Sequence, residues 1–161
     1  MTNITTIIAD YHNPQHCADI VWLMNHYAQD AMGGGTPLSA FTQQNLTSTL
    51  ATLPHALTIL CYIDQQAVGL LTGFEGFSTF ACKPLMNIHD VVVKHNYRGQ
   101  GISYHLLNAV ETIARERDYC RLTLEVLEGN PIAQRAYLQH GFTAYELDPA
   151  VGKALFWQKT L

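Results

Sequence analysis

The sequence predicts an α+β domain in which a mixed, mostly antiparallel sheet is flanked by about four helices and contains one β-α-β crossover. Three observations carry this. Three strand patterns follow one another between residues 56 and 94, which reads as an antiparallel meander. Residues 85–128 run strand, glycine turn, helix, strand, and two strands joined through a helix should lie parallel. Two stretches, 16–32 and 102–117, repeat apolar residues at helical spacing.

The elements follow in order. ITTIIADY (4–11) reads as a first strand. In HCADIVWLMNHYAQDAM (16–32), Ile20, Leu23, Met24, Tyr27 and Ala31 keep helical spacing until GGGTPLS (33–39) breaks it. A second helix starts at Thr36-Pro37 or at Ser39 and runs to about Leu53. The meander is ALTILCYI (56–63), a longer strand over 67–81 and LMNIHDVVVK (85–94). Ile102, Leu106, Leu107, Val110, Ile113 and Ala114 form the apolar stripe of the helix over 102–117, and RLTLEVLE (121–128) is a strand. Asn130 suits an N-cap, Pro131 the first helical position and Gly141 the residue past the end, bounding a short helix over 130–140. FTAYEL (142–147) and KALFWQKTL (153–161) read as two closing strands. No repeat or low-complexity linker interrupts the chain, so 1–161 is read as a single domain.

Composition narrows the function. Apolar residues make up 48% of the 161 and charged residues 14%, with a formal charge of −4. That suits a folded domain rather than a disordered one. No block of Lys and Arg marks a nucleic-acid surface, and no segment has transmembrane length. The N-terminus lacks a basic, then apolar, secretion signal. Cys17, Cys61, Cys82 and Cys120 show no C-x-x-C spacing and read as buried free thiols in a reducing cytoplasm. Eight histidines form no His–Cys cluster at ligand spacing, so no metal is expected.

The most informative stretch is NYRGQGIS (96–103), between a strand and a helix. Helix-initial N–H groups lack partners within the helix and attract anions. Gly99 and Gly101 let the backbone approach a ligand with no Cβ in the way, and Arg98 can add charge-assisted bonds. The physics is that of a pyrophosphate cradle. It is neither a Walker loop nor the dinucleotide G-x-G-x-x-G, and taken alone a Gly-x-Gly turn equally serves as a tight connection.

Two motifs together are more specific. VKHNYRGQGISYHLL, LTLEVLEGN and NPIAQRAYLQHGF resemble the GNAT superfamily of acyl-CoA-dependent N-acetyltransferases. The family signature Arg/Gln-x-x-Gly-x-Gly/Ala is met by Arg98-Gly99-Gln100-Gly101-Ile102-Ser103, Ser103 departing at the last position. The second signature is met by Asn130, Ala133, Tyr137, Gly141 and Phe142, with Ala136 where a larger apolar residue is usual.

The resemblance implies the GNAT fold, with two parallel strands, near 91 and 124, splaying apart to admit a thioester. It implies that Val91, Val92 and Val93 pair by backbone with the pantetheine arm of acetyl-CoA. Residues 99–104 (Gly99, Gln100, Gly101, Ile102, Ser103 and Tyr104) would take the pyrophosphate, with Arg98 and Asn130 in the same coenzyme site. A backbone N–H at the splay would polarise the acyl carbonyl. Tyr137 would be the general acid toward the leaving thiolate, a core aromatic being the alternative. The attacking amine needs a base. His89 stands where the small-amine branch of the family has a carboxylate, and histidine as a residue type is suited to the same work. Asp90, on the opposite strand face, and Glu125, mid-strand on the partner, are the other candidates. DAMGGGTP (30–37) reads as a mobile lid or a loose connection, and FEGFSTF (74–80) as core or as an apolar acceptor wall. No cysteine lies in either motif, which favours direct transfer over a thiol intermediate. The expected function is acetyl transfer from acetyl-CoA to a small-molecule amine in the cytoplasm, with no metal, nucleic acid or membrane partner. Transfer to a protein amine and a degenerate coenzyme-binding module are the alternatives. Dimers are common in the family.

Overall fold

A computed structural model of the protein describes residues 3–161. The chain forms two compact units, one ending at Leu124 and one beginning at Glu125.

The first unit holds a five-stranded sheet in the order β1-β2-β3-β4-β5. Its strands are β1 (Ile4–Ile8), β2 (Ala56–Ile63), β3 (Gln66–Ser78), β4 (Lys83–Val93) and β5 (Leu122–Leu124). The meander is as expected: β1–β2, β2–β3 and β3–β4 are antiparallel, and β4–β5, joined through a helix, is parallel. The helices are α1 (Pro14–Ala28), α2 (Ala40–Leu50) and α3 (Ile102–Glu116). Asn13 caps α1 and Ser39 caps α2, so the second of the two expected starts is the one used.

Ile20 and Leu23 of α1 pack on Leu60, Leu70 and Val92 on one face of the sheet. On the other face, a Cβ at Gly69 would stand 2.8 Å from Ile102 Cγ2 and 3.2 Å from Leu106 Cδ1 of α3. Gly69 and Leu70 are consecutive on β3, so the two helices sandwich the sheet. A polar line through this core is satisfied: Tyr11 Oη, Thr58 Oγ1 and Thr72 Oγ1 join at 2.9 and 3.0 Å.

Several boundaries are shorter than the sequence suggested. The first strand stops at Ile8, because Asp10 turns the chain by accepting from His12 N at 2.8 Å. The longer strand ends at Ser78, whose hydroxyl accepts from Ala81 N. The strand expected over 121–128 spans Leu122–Leu124, paired with Met86–Ile88. The next position of β4 is a bulge, which interrupts the ladder. Of the four free cysteines, Cys61 is buried, and burial pushes its thiol up to about 11; Cys17 and Cys120 are half-buried and Cys82 is exposed.

The second unit contains α4 (Pro131–Gln139), capped as expected by Asn130, whose Oδ1 accepts from Ala133 N at 3.1 Å, and ended by Gly141 at φ +96°. The two closing strands are not formed. Among the described residues, 142–161 carry one isolated antiparallel bridge, Glu146 with Lys153, around a turn at Asp148–Gly152. An apolar pattern becomes a strand only where a ladder partner meets it, and here one pair does.

Candidate active site

The site in the first unit is built at the C-terminal end of β4. Thr72 pairs with Asp90 and Gly73 with Ile88, so His89 is the extra, bulged residue. The bulge corrects one expectation. In a regular strand His89 and Asp90 would face opposite sides, but here His89 Nδ1 lies 3.4 Å from Asp90 Oδ2. The Phe74 ring meets the imidazole edge-on at 5.7 Å, and His55 leans on Phe74 in turn. His89 is thus exposed yet held from two sides. Burial pushes the Asp90 carboxyl above its ordinary range, with the charge and hydrogen bond of His89 pulling it back down. The chain therefore offers an imidazole facing solvent, backed by a carboxylate that is largely withdrawn from it.

β5 pairs with β4 only up to Ile88. Beyond the bulge, Val91 to Val93 bond to β3 on one side and, among the described residues, meet no strand on the other. Lys94 N–H points to Val68 O on β3. By alternation the backbone groups of Val91 and Val93 face the open edge, where an extended ligand could add like a strand.

The turn that follows is a short 3₁₀ segment (His95–Tyr97), then Arg98, Gly99 at φ +75°, Gln100, and Gly101 at φ +81° capping α3. L-residues with a side chain resist that left-handed region, which accounts for the two glycines. No side chain caps α3. Its first bond runs from His105 N to Gly101 O, leaving the N–H groups of Ile102 and Ser103 without partners inside the helix. A Cβ at Gly99 or Gly101 would meet nothing within 4 Å. The turn is thus an open ring of backbone donors at a helix start, with the chemistry for a phosphate group. Gln100 is tied to Asn96 O, Ile102 is buried beneath the turn and Tyr104 is exposed with its ring against His105.

Arg98 is placed otherwise than as a bare phosphate hook. Its Nε donates to Val93 O at 3.3 Å and its Nη2 to Asp30 Oδ2 at 2.8 Å. Residues 30–37, expected to be a lid or a loose connection, form a bonded turn. Gly33 N and Gly35 N donate to Asp30 O, Thr36 N to Ala28 O, and Tyr27 Oη to Met32 O. The sequence offers Asp30 only as part of the 30–37 stretch; its pairing with Arg98, 68 residues away, leaves no local signal.

The remaining expected residues belong to the second unit. Glu125 is exposed just past the end of β5 rather than mid-strand. Tyr137 is half-buried on α4, edge-on to Phe142 at 5.9 Å. Asn130 spends its side-chain oxygen on the cap of α4. His12 and His16 stand four apart, a spacing that can pair ligands on a helix, but α1 begins between them and His16 Nδ1 accepts from Asp10 N. Among the described residues no group of three His, Cys, Asp or Glu side chains is arranged to hold a metal, and no helix is long and apolar enough to cross a membrane.

Residues 20–142 match the acetyltransferase (GNAT) family. A streptothricin acetyltransferase of Streptomyces lavendulae is 38% identical over 90 residues, covering 56% of this chain and 48% of that protein. One from Escherichia coli is 30% identical over 105 residues, covering 60% and 58%. The chain thus spans about half the length of these curated relatives. Among solved structures, an aminoglycoside acetyltransferase from an uncultured soil metagenomic sample, in complex with sisomicin, superposes with a TM-score of 0.80 at 18% identity, covering 98% of this chain and 96% of that one. An aminoglycoside N-acetyltransferase in complex with CoA does so at 0.74 and 14%, covering 100% and 97%. At these identities the structures share the fold.

Proposed function

The chain belongs to the GNAT acetyltransferase family, and from that premise we propose that it transfers the acetyl group of acetyl-CoA directly to a primary amine of a small, cationic, antibiotic-like molecule. The observation that carries this reading is the open donor turn at Gly99–Ser103 beside the unpaired edge of β4. A pyrophosphate fits the turn's N–H groups, and a pantetheine arm fits the edge at Val91–Val93. Arg98 stands beside the turn, and Tyr104 and Asn130 complete the coenzyme residues assigned by the family motifs. The acceptor class rests on the names of the relatives.

His89 takes the amine's proton. Asp90 accepts from its Nδ1–H, which fixes the tautomer that leaves Nε2 as the base, and Phe74 steadies the ring. Tyr137 donates to the departing thiolate, and Glu125 serves as a contact for a cationic acceptor. Acetyl-CoA supplies the activated acyl group; no cysteine of this chain takes it up on the way.

The test is thiol release from acetyl-CoA with a panel of acceptors: streptothricin, aminoglycosides, polyamines, amino acids and peptides. Turnover with a streptothricin or aminoglycoside amine supports the reading. Turnover with peptides alone would replace the acceptor class, and CoA binding without turnover on any amine would make the chain a coenzyme-binding module.

A further inference from the structure

The family motifs put Arg98 beside the coenzyme, but its guanidinium faces another way. It is held at both ends by this chain, by the Val93 carbonyl at the end of β4 and by the Asp30 carboxylate in the turn after α1. Asp30 is itself fixed. Its other oxygen, Oδ1, accepts from Met32 N at 3.0 Å, and its carbonyl accepts from Gly33 N and Gly35 N. The hydrogen bond from Met32 and the one from Arg98 hold its carboxyl below the usual range.

The links continue toward the reacting centre. Met32 O accepts from Tyr27 Oη at 3.1 Å. Tyr27, on the last turn of α1, is partly withdrawn from water and feels the charge of Asp90, the residue paired with His89. A series of hydrogen bonds through Arg98, Asp30, Met32 and Tyr27 thus runs from the coenzyme turn into α1, and Tyr27 packs against the core cluster that includes Val92, on the strand that carries His89 and Asp90. The turn is not free to relax away from it. A Cβ at Gly33 would lie 2.0 Å from Tyr27 O, so the backbone there is packed against α1.

We propose that the Arg98–Asp30 pair is a brace that fixes the residue 30–36 turn, and with it Tyr27, as a wall of the acceptor site, so that Asp30 and Arg98 are positioning residues for the amine. This rests on the functional reading above and deepens it. Arg98 acts on the acceptor more than on the coenzyme, whose pyrophosphate is met by the backbone N–H groups of Gly99–Ser103. A bidentate-capable guanidinium suits a brace because its rigid fork can hold a carbonyl and a carboxylate at once.

The experiment uses the full chain with Asp30→Asn, Arg98→Gln, the double variant and the conservative Asp30→Glu. CoA affinity is read by calorimetry, acceptor KM and kcat by thiol release, and amide exchange over residues 31–36 by mass spectrometry. A brace predicts faster exchange in 31–36 and an acceptor KM raised about three- to tenfold in each single variant, the range expected for a coupled, partly exposed pair. It also predicts a double variant no worse than the worse single, CoA affinity within about twofold for Asp30→Asn, and partial rescue by Asp30→Glu. Three results would overturn it: parent-like exchange and KM in Asp30→Asn; additive effects of the two single variants; or an Arg98→Gln defect confined to CoA affinity, which would make Arg98 a phosphate ligand. The exchange measurement needs neither coenzyme nor acceptor. A parent protein that fails to bind CoA therefore counts against the functional reading and leaves the brace separately decided.

Discussion

At the residue scale, the bulged His89 and half-buried Asp90 concentrate the chemistry. Asp90 is largely withdrawn from water, and its carboxyl is raised in the folded protein, burial outweighing the neighbouring imidazole. In the unfolded chain the same group ionises at the ordinary carboxylate value. The folded state therefore holds the proton more tightly, and stability falls as pH rises from that value through the folded one. At neutral pH an ionised Asp90 costs stability, while its charge orients His89. Asp90→Asn should then raise Tm at pH 7 and lower kcat/KM on the same acceptor, with the Tm advantage shrinking as pH is taken below the ordinary carboxylate range. A lower Tm across that whole window would show that Asp90 is a net structural support. Tyr137→Phe keeps the ring that packs on Phe142 and removes only the hydroxyl. The expected loss is about 10²-fold in kcat with little change in CoA affinity. An unchanged kcat, with chemistry shown to be rate-limiting, would take Tyr137 out of the mechanism.

At the element scale, α3 and the turn before it do two jobs that separate experimentally. Its buried side packs down on the sheet through Gly69, where a Cβ would also lie 2.9 Å from Val92 O. Gly69→Val should cost about 1–3 kcal/mol by overpacking, read as a lowered denaturant midpoint. Its exposed start is the donor turn. Gly101→Val places a side chain in open space at φ +81°, so it adds backbone strain and blocks the ligand approach. Gly152→Val, at φ +92° and equally open, carries matched strain far along the chain. Gly101→Val alone should lose CoA binding. Equal CoA affinity in the two variants would remove the turn from the coenzyme site.

At the scale of the whole molecule, a ligand bound only by the folded state stabilises it by mass action. CoA at about 100 times its Kd should add about 2.7 kcal/mol. For a chain of this length that is a rise of roughly 5–10 °C in Tm. A thermal shift in CoA that is absent, with calorimetry also silent, would leave the family fold without its coenzyme. The shift should survive in Asp30→Asn, because the donor turn is backbone.

The sequence by itself determined the order and type of nearly every element of the first unit, the caps at Asn130 and Gly141, and the two motifs that mark the family. These features are local: periodicity, turn chemistry and helix ends are written within a few residues of one another. It overreached at 142–161, where apolar alternation promised two strands and a ladder partner was met at one pair. Only the tertiary structure decided that His89 and Asp90 share a side, because that depends on one unmatched residue against β3. It alone joined Arg98 to Asp30 and made a bonded turn of the stretch expected to be a lid or a loose connection. Pairings across 68 residues are set by how helices and strands pack, and packing has no period along the chain from which it can be read.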